Sequence, residues 1–173
     1  MDRHESLQSK DNQYFNGNEW QLPTDLNVAE GALGEFNRRL EEAKWPEDDI
    51  DWLAATFSEV IYNAIIHGNL GIHAKSEEES WKEVASRVIE EHPTDKKVLV
   101  RINITEEQLE VTVRDEGEGF DWKNQKESKG LEKTSGKGMT FMKTFFDSYQ
   151  YNDKGNEVTL IKKRPPTNNK KIA

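Results

Sequence analysis

The chain has 173 residues, 33% of them charged, with a formal net charge of -9 and a pI ≈ 5.1; that length suits one domain with a real core, and that acidity argues against a broad nucleic-acid footprint, which needs clustered Lys and Arg. The absence of cysteine excludes disulfides, thiolate metal sites and a Cys nucleophile. No signal-peptide pattern and no apolar run of about 18 residues is present, so neither secretion nor a membrane span is indicated and a cytoplasmic protein is expected.

Residues 1–18 are polar and are expected to form a flexible N-terminal arm, with a short edge strand near Trp20, Gln21 and Leu22. Pro23, Thr24 and Asp25 open a helix whose apolar side is Leu26, Ala29, Leu33, Phe36 and Leu40, closed by Trp45-Pro46. Pro46, Glu47, Asp48 and Asp49 are a strong start for a second helix, because proline suits the first turn and acids favour the positive end of the dipole. Its buried stripe is Ile50, Leu53, Ala54, Phe57, Val60, Ile61, Ala64 and Ile65. Glu59, Asn63 and His67 form a separate row on its flank, four residues apart, before Gly68-Asn69-Leu70-Gly71 ends the helix.

Residues 72–92 are expected to form a third, peripheral helix carrying Trp81, Val84, Ala85, Val88 and Ile89, with Glu77 to Glu79 as its solvated first turn and Pro93 as its stop. The period then changes to two: Val98, Val100, Ile102 and Ile104 alternate, Thr105 to Gln108 turn, and Leu109, Val111 and Val113 alternate again. Residues 120–137 lack a period and read as a mobile loop, followed by a short helix from Gly138 to about Asp147. Tyr149 and Tyr151, a turn at Asn152 to Gly155, and Val158, Leu160 and Ile161 make a last hairpin. The boundaries are a domain at 19–163 and a flexible C-terminal tail at 164–173. The predicted class is α+β, a two-layer sandwich with helices on one face of a mixed, mainly antiparallel sheet. Trp45 and Trp52 are expected to be core or helix-packing residues, whereas Trp122 is a candidate gate beside the site.

Three segments carry candidate chemistry. In the row, Glu59 can accept a proton and the Asn63 amide oxygen can coordinate a hard cation. Asp115-Glu116-Gly117-Glu118-Gly119 follows a strand; a fixed carboxylate with Gly117 and Gly119 lets the backbone fold closely around a flat ligand, and Asp115 can accept a hydrogen bond from an exocyclic amine. Ser135-Gly136-Lys137-Gly138 stands at a loop-to-helix junction, where free backbone N–H groups and the helix dipole favour an anion. The spacing is not that of a P-loop.

In this order, Glu59-x3-Asn63-x3-His67, Asp115-x-Gly117-x-Gly119 and Gly136-x-Gly138 resemble the N box and two glycine boxes of the Bergerat-fold ATP-binding proteins, a group that includes gyrase and the histidine kinases. Asn63 to Gly71 and Ser135 to Met139 resemble more closely the small anti-sigma factor serine/threonine kinases. The resemblance spans roughly residues 20 to 163 and implies ATP and Mg²⁺ as cofactors. It implies Glu59 as catalytic base and Asn63 as magnesium ligand, with Asp115, Gly117 and Gly119 at the adenine. His67, at the helix end, would face the nucleotide or hydrogen-bond the turn, and Gly136, Lys137, Gly138 and Met139 would form a lid over the phosphates. Where the family often has Thr after the glycine of its last hairpin, Gly155 is followed here by Asn156, and Thr159 lies farther along as the candidate adenine-side Thr. By the same resemblance the chain would be a regulatory kinase of transcription, phosphorylating a serine of an anti-sigma factor antagonist and sequestering a sigma factor or similar target. A homodimer without direct nucleic-acid or membrane contact would fit. The alternative is a nucleotide-dependent partner-binding module without significant kinase activity.

Overall fold

The structure is a computed structural model and describes residues 13–124 and 137–166. The element order is β1 (Glu19–Pro23), α1 (Leu26–Glu42), α2 (Glu47–Asn63), a π-helical turn (Ala64–Asn69), α3 (Trp81–Glu91), β2 (Lys97–Ile104), β3 (Gln108–Arg114), α4 (Lys137–Phe145), β4 (Ser148–Tyr151) and β5 (Glu157–Lys163).

Asp25 caps α1 by accepting from the N–H groups of Asn27 and Val28 at 2.7 and 3.1 Å, which satisfies two of the donors a helix start leaves unpaired. No side chain caps α2; Glu47, Asp48 and Asp49 in its first turn complement the dipole instead. The helices meet through Phe36 and Phe57, stacked with ring centroids 4.3 Å apart and fully buried. Burial of each ring contributes about 1.5–3 kcal/mol before the stacking itself is counted.

The five strands lie in the order β1-β2-β3-β5-β4, and every pairing is antiparallel, so the sheet is uniformly antiparallel rather than mixed. Period-two alternation sends Trp20, Leu22, Val98, Val100, Ile102, Leu109, Val111, Val113, Val158 and Leu160 into the core under α1 and α2. The opposite face is polar, with the Thr112 and Thr159 hydroxyls 3.0 Å apart across β3 and β5.

Several expectations shift. Part of the expected arm packs on the domain: Phe15 is buried edge-on against Trp20 at 5.2 Å, and its carbonyl accepts from Arg39 at 2.9 Å. At the other end Arg164 is held, donating to the carbonyls of Lys44 and Ala43 at 3.1 and 3.0 Å with its guanidinium over the Trp45 ring. Residues 1–12 of the expected arm, 167–173 of the expected tail and 125–136 of the expected loop lie outside the described residues. The third helix begins at Trp81, not at 72, because Ser80 and Glu83 form a reciprocal capping box that fixes its first turn. The glutamate run therefore precedes the helix, with Glu79 paired to Arg87 and accepting from Ser76. Trp45 is buried, and Trp52, although 51% exposed, packs against Phe145 of α4. Among the described residues no helix is long and apolar enough to cross a membrane.

Candidate functional site

The end of α2 departs from α-helical geometry where the Glu59, Asn63, His67 row runs out. From Ala64 to Asn69 the turn widens, and the Leu70 N–H reaches back five residues to the Ile65 carbonyl at 2.9 Å. This wide turn brings the Gly68 backbone against the Asp115 side chain. A Cβ at Gly68 would stand 2.3 Å from the Asp115 carboxyl carbon, and one at Gly117 would stand 2.3 Å from the Gly68 carbonyl oxygen. Both contacts are possible only for glycine, so the first glycine box closes directly on the helix end.

Asp115 is fixed from three sides. Its Oδ1 accepts from the Gly117 N–H at 2.8 Å, its N–H donates to the Asn156 carbonyl at 2.9 Å, and its own carbonyl accepts from Asn156 Nδ2 at 2.7 Å. Burial pushes the Asp115 carboxyl above the usual aspartate range, against the opposing pull of the Gly117 N–H and the Lys154 and Lys96 charges. Tyr151 is raised too, chiefly by burial and then by Tyr149 and Asp115. Gly119, at φ 76°, lies so close to the Lys154 carbonyl that a Cβ would be 2.0 Å from its oxygen, which seats the box on the β4–β5 hairpin.

A cavity of about 280 Å³ opens between α2, α4 and these loops, near the lower end of the roughly 300–1,000 Å³ of small-molecule clefts. Glu59, Asn63 and His67 line one wall, Asp115, Gly119 and Phe120 another, Met139 and Met142 a third, and Tyr151, Gly155, Asn156, Glu157 and Val158 the floor. His73 and Trp81 close the remaining side. Asn63 Nδ2 donates to Glu59 Oε1 at 3.2 Å, which directs the amide oxygen away from the carboxylate. His67 Nδ1 lies 2.5 Å from the Ile72 carbonyl and, since a carbonyl oxygen only accepts, is the donor of that bond.

A model of the histidine kinase-like ATPase domain matches residues 22–162. The chain belongs to the histidine kinase-like ATPase family. No curated protein matches it. The domain binds ATP, and the cavity is its candidate nucleotide site.

Of the residues singled out in the sequence, the structure gathers Glu59, Asn63, His67, Asp115, Gly119 and Met139 around this one cavity, with Gly117 packed behind Asp115. Gly136 lies outside the described residues; Lys137 and Gly138 open α4. Thr159 is not in the ATPase site. It alternates with the buried Val158 and Leu160, so its side chain projects from the far face of the sheet to Thr112. The position expected to hold a threonine is filled by Asn156, which is buried and braces Asp115. Trp122 is not among the residues that line the cavity; its ring lies against Tyr151, and its indole N–H donates to the Asn152 carbonyl at 2.8 Å and fastens the glycine box to the hairpin.

Two further residues escaped the sequence reading. Gly68 was visible only as a helix stop, although a glycine directly after the His67 position is the signal for a close approach. Asn69, buried at the end of the wide turn, donates to Thr24 Oγ1 at 2.9 Å and the Lys97 carbonyl at 3.1 Å and accepts from the Glu116 N–H at 2.8 Å. It thereby ties the row, the entry of β2 and the glycine box together.

Proposed function

We propose that this ATPase domain is a regulatory serine/threonine protein kinase of the anti-sigma factor type. In this reading it transfers the γ-phosphoryl group of ATP to a serine of an antagonist protein and sequesters a sigma factor or similar target, as a cytoplasmic protein acting in transcription regulation. The observation that carries the reading is Glu59 one helical turn before Asn63, the two side chains in contact on the cavity wall.

The residues fit a nucleotide carried with a metal. Among the described residues no group of three or more His, Cys, Asp or Glu side chains could hold an ion by itself. Magnesium commonly keeps few protein ligands and takes the rest from phosphate oxygens. Asn63 would be its protein ligand, and its chemistry when bound would be to neutralise charge on the phosphates. Asp115 would accept the adenine amine, its carboxylate seated against the Gly68 backbone that the absence of Cβ atoms at Gly68 and Gly117 lets come close. Lys137 and Gly138, at the start of α4, would face the phosphates with the N-terminal backbone and dipole of that helix. Glu59 would take the proton of the serine hydroxyl as its oxygen forms a bond to the γ-phosphorus, while the bond to the bridging oxygen of ADP breaks. Such transfer depends on positioning and charge more than on covalent participation, which suits so sparse a set.

The test is Glu59→Gln. It is expected to keep ATP affinity in calorimetry and to lose at least about a hundredfold in phosphate release and in transfer of radiolabel to an antagonist protein. Undiminished transfer would remove the base assignment, and ATP binding without turnover in the unsubstituted protein would favour a nucleotide-switched binding module.

A further inference from the structure

Trp52 is one of only two large hydrophobic side chains left exposed among the described residues, and it is not loose: its ring stacks on Phe145 of α4 at 4.4 Å with an interplanar angle of 8°. Phe141 continues the patch, 5.7 Å from Phe145. A Trp ordered by stacking yet half open to water is the kind of rigid, low-entropy surface that anchors a partner.

The patch is continuous with the nucleotide site. Trp52 and Glu59 are seven residues apart and differ by only about 20° around α2, so they share one face, separated by about 10 Å along the axis. On the facing helix, Met139 and Met142 line the cavity and Phe145 lies one turn beyond. Ala55, small and exposed, lies on α2 between Trp52 and Glu59. On α2, therefore, a small exposed side chain stands between the aromatic pair and the carboxylate assigned as base.

Its charge is one-sided. Asp48 shares the Trp52 face, Asp49 and Asp51 flank it, and Glu47 precedes them; among the described residues none of the four is in an ion pair. Against them α4 contributes Lys143. We propose that the Trp52–Phe145 platform with its acidic margin is the docking site for the phosphoacceptor segment of the protein substrate. That segment carries an apolar side chain flanked by Lys or Arg about three residues of extended chain from the serine. The inference rests on the kinase reading and adds to it where the substrate lies and which substrates are chosen.

The experiment uses the full chain and a fluorescein-labelled peptide with Leu three residues from a serine, flanked by lysines, beside two controls in which Leu is replaced by Ser or the lysines by Glu. Binding is read by anisotropy and transfer by radiolabel from ATP. The Leu/Lys peptide is expected to bind, with affinity falling roughly thirtyfold for either control or for Trp52→Ala, while ATP affinity stays unchanged and reports an intact fold. Asp48→Lys combined with Asp51→Lys, which leaves the core alone, is expected to raise the peptide KM with little change in kcat. Trp52-dependent binding without transfer to any peptide would uphold the docking site and count against the kinase reading. Transfer that ignores both variants would overturn the docking site and leave the kinase reading standing. No binding at all, or a Trp52→Ala change that splits a dimer in sedimentation while peptide binding is unaltered, would also overturn it, the latter assigning the patch to contact between copies.

Discussion

Replacing Gly68 by alanine sets two effects of opposite sign against each other. Helix propensity favours alanine over glycine by about 1 kcal/mol in a helix interior. The added Cβ, however, would stand 2.3 Å from the Asp115 carboxyl carbon and 2.6 Å from both of its oxygens. To reach the 3.4 Å of an ordinary contact the carboxylate must retreat by about 1 Å, and Asp115 has little freedom, held by the Gly117 N–H and on both sides of its backbone by Asn156. Overpacking costs about 1–3 kcal/mol and a weakened hydrogen bond to a charged group about 1.5–3 kcal/mol, so the clash exceeds the propensity gain. A displacement near 1 Å at a positioning group typically costs about a hundredfold. Gly68→Ala is therefore expected to lower ATP affinity about a hundredfold by calorimetry and to lower Tm rather than raise it. A variant with unchanged ATP affinity and a higher Tm would refute the claim that the glycine box closes on the helix end.

Asp115→Asn is expected to abolish measurable ATP binding without loss of Tm near neutral pH. The raised carboxyl of Asp115 favours folding below the unfolded aspartate pKa, and that contribution is lost as pH rises through the folded value, so the ionised group is a burden at neutral pH. For the same reason ATP affinity of the unsubstituted protein is expected to weaken on acidification while the pH is still above the usual aspartate range, as read from a calorimetric pH series. Lys44, the one described non-glycine residue with positive φ, sits at φ 57° just after α1; Lys44→Gly should stabilise by about 0.5–1 kcal/mol, read as a Tm rise of about 1–4 °C. Asn69→Ala strands the Glu116 N–H and removes both donor contacts, and it should cost about 2–4 kcal/mol in urea unfolding and weaken ATP binding as well.

The order and type of the elements were readable because local patterns dominate them: α1 and α2 carry clear apolar stripes, and β2, β3 and β5 alternate cleanly. The exceptions share a physical cause, namely contacts made between distant parts of the chain. Ile65 and Ile66 continue an apolar stripe, so the switch to a π turn left no trace in the period; it exists because Gly68 meets Asp115 and Asn69 bonds to Thr24, Lys97 and Glu116. Thr159 is the right residue type on the wrong face, a matter of strand register that Val158 and Leu160 settle. Trp52 packs against a helix as its type suggests, but it does so at the surface, on a Phe145 ring far away in sequence. The start of α3 was legible in principle, since Ser80-x-x-Glu83 is a capping signature, but the charged residues before it obscured the boundary.

The strand order also bears on how the chain folds. The β2–β3 and β4–β5 hairpins join near neighbours, whereas β1 must find β2, bringing Trp20 opposite Val100, and β3 must find β5, bringing Val113 opposite Val158. Closing such long loops is entropically costly before any contact rewards it, which slows folding relative to helical domains of similar size. Asp115 acquires both of its backbone partners on Asn156 only once β3 and β5 have paired. Nucleotide can therefore act only on a chain whose slowest pairing is complete, and ATP is expected to slow unfolding more than it speeds folding.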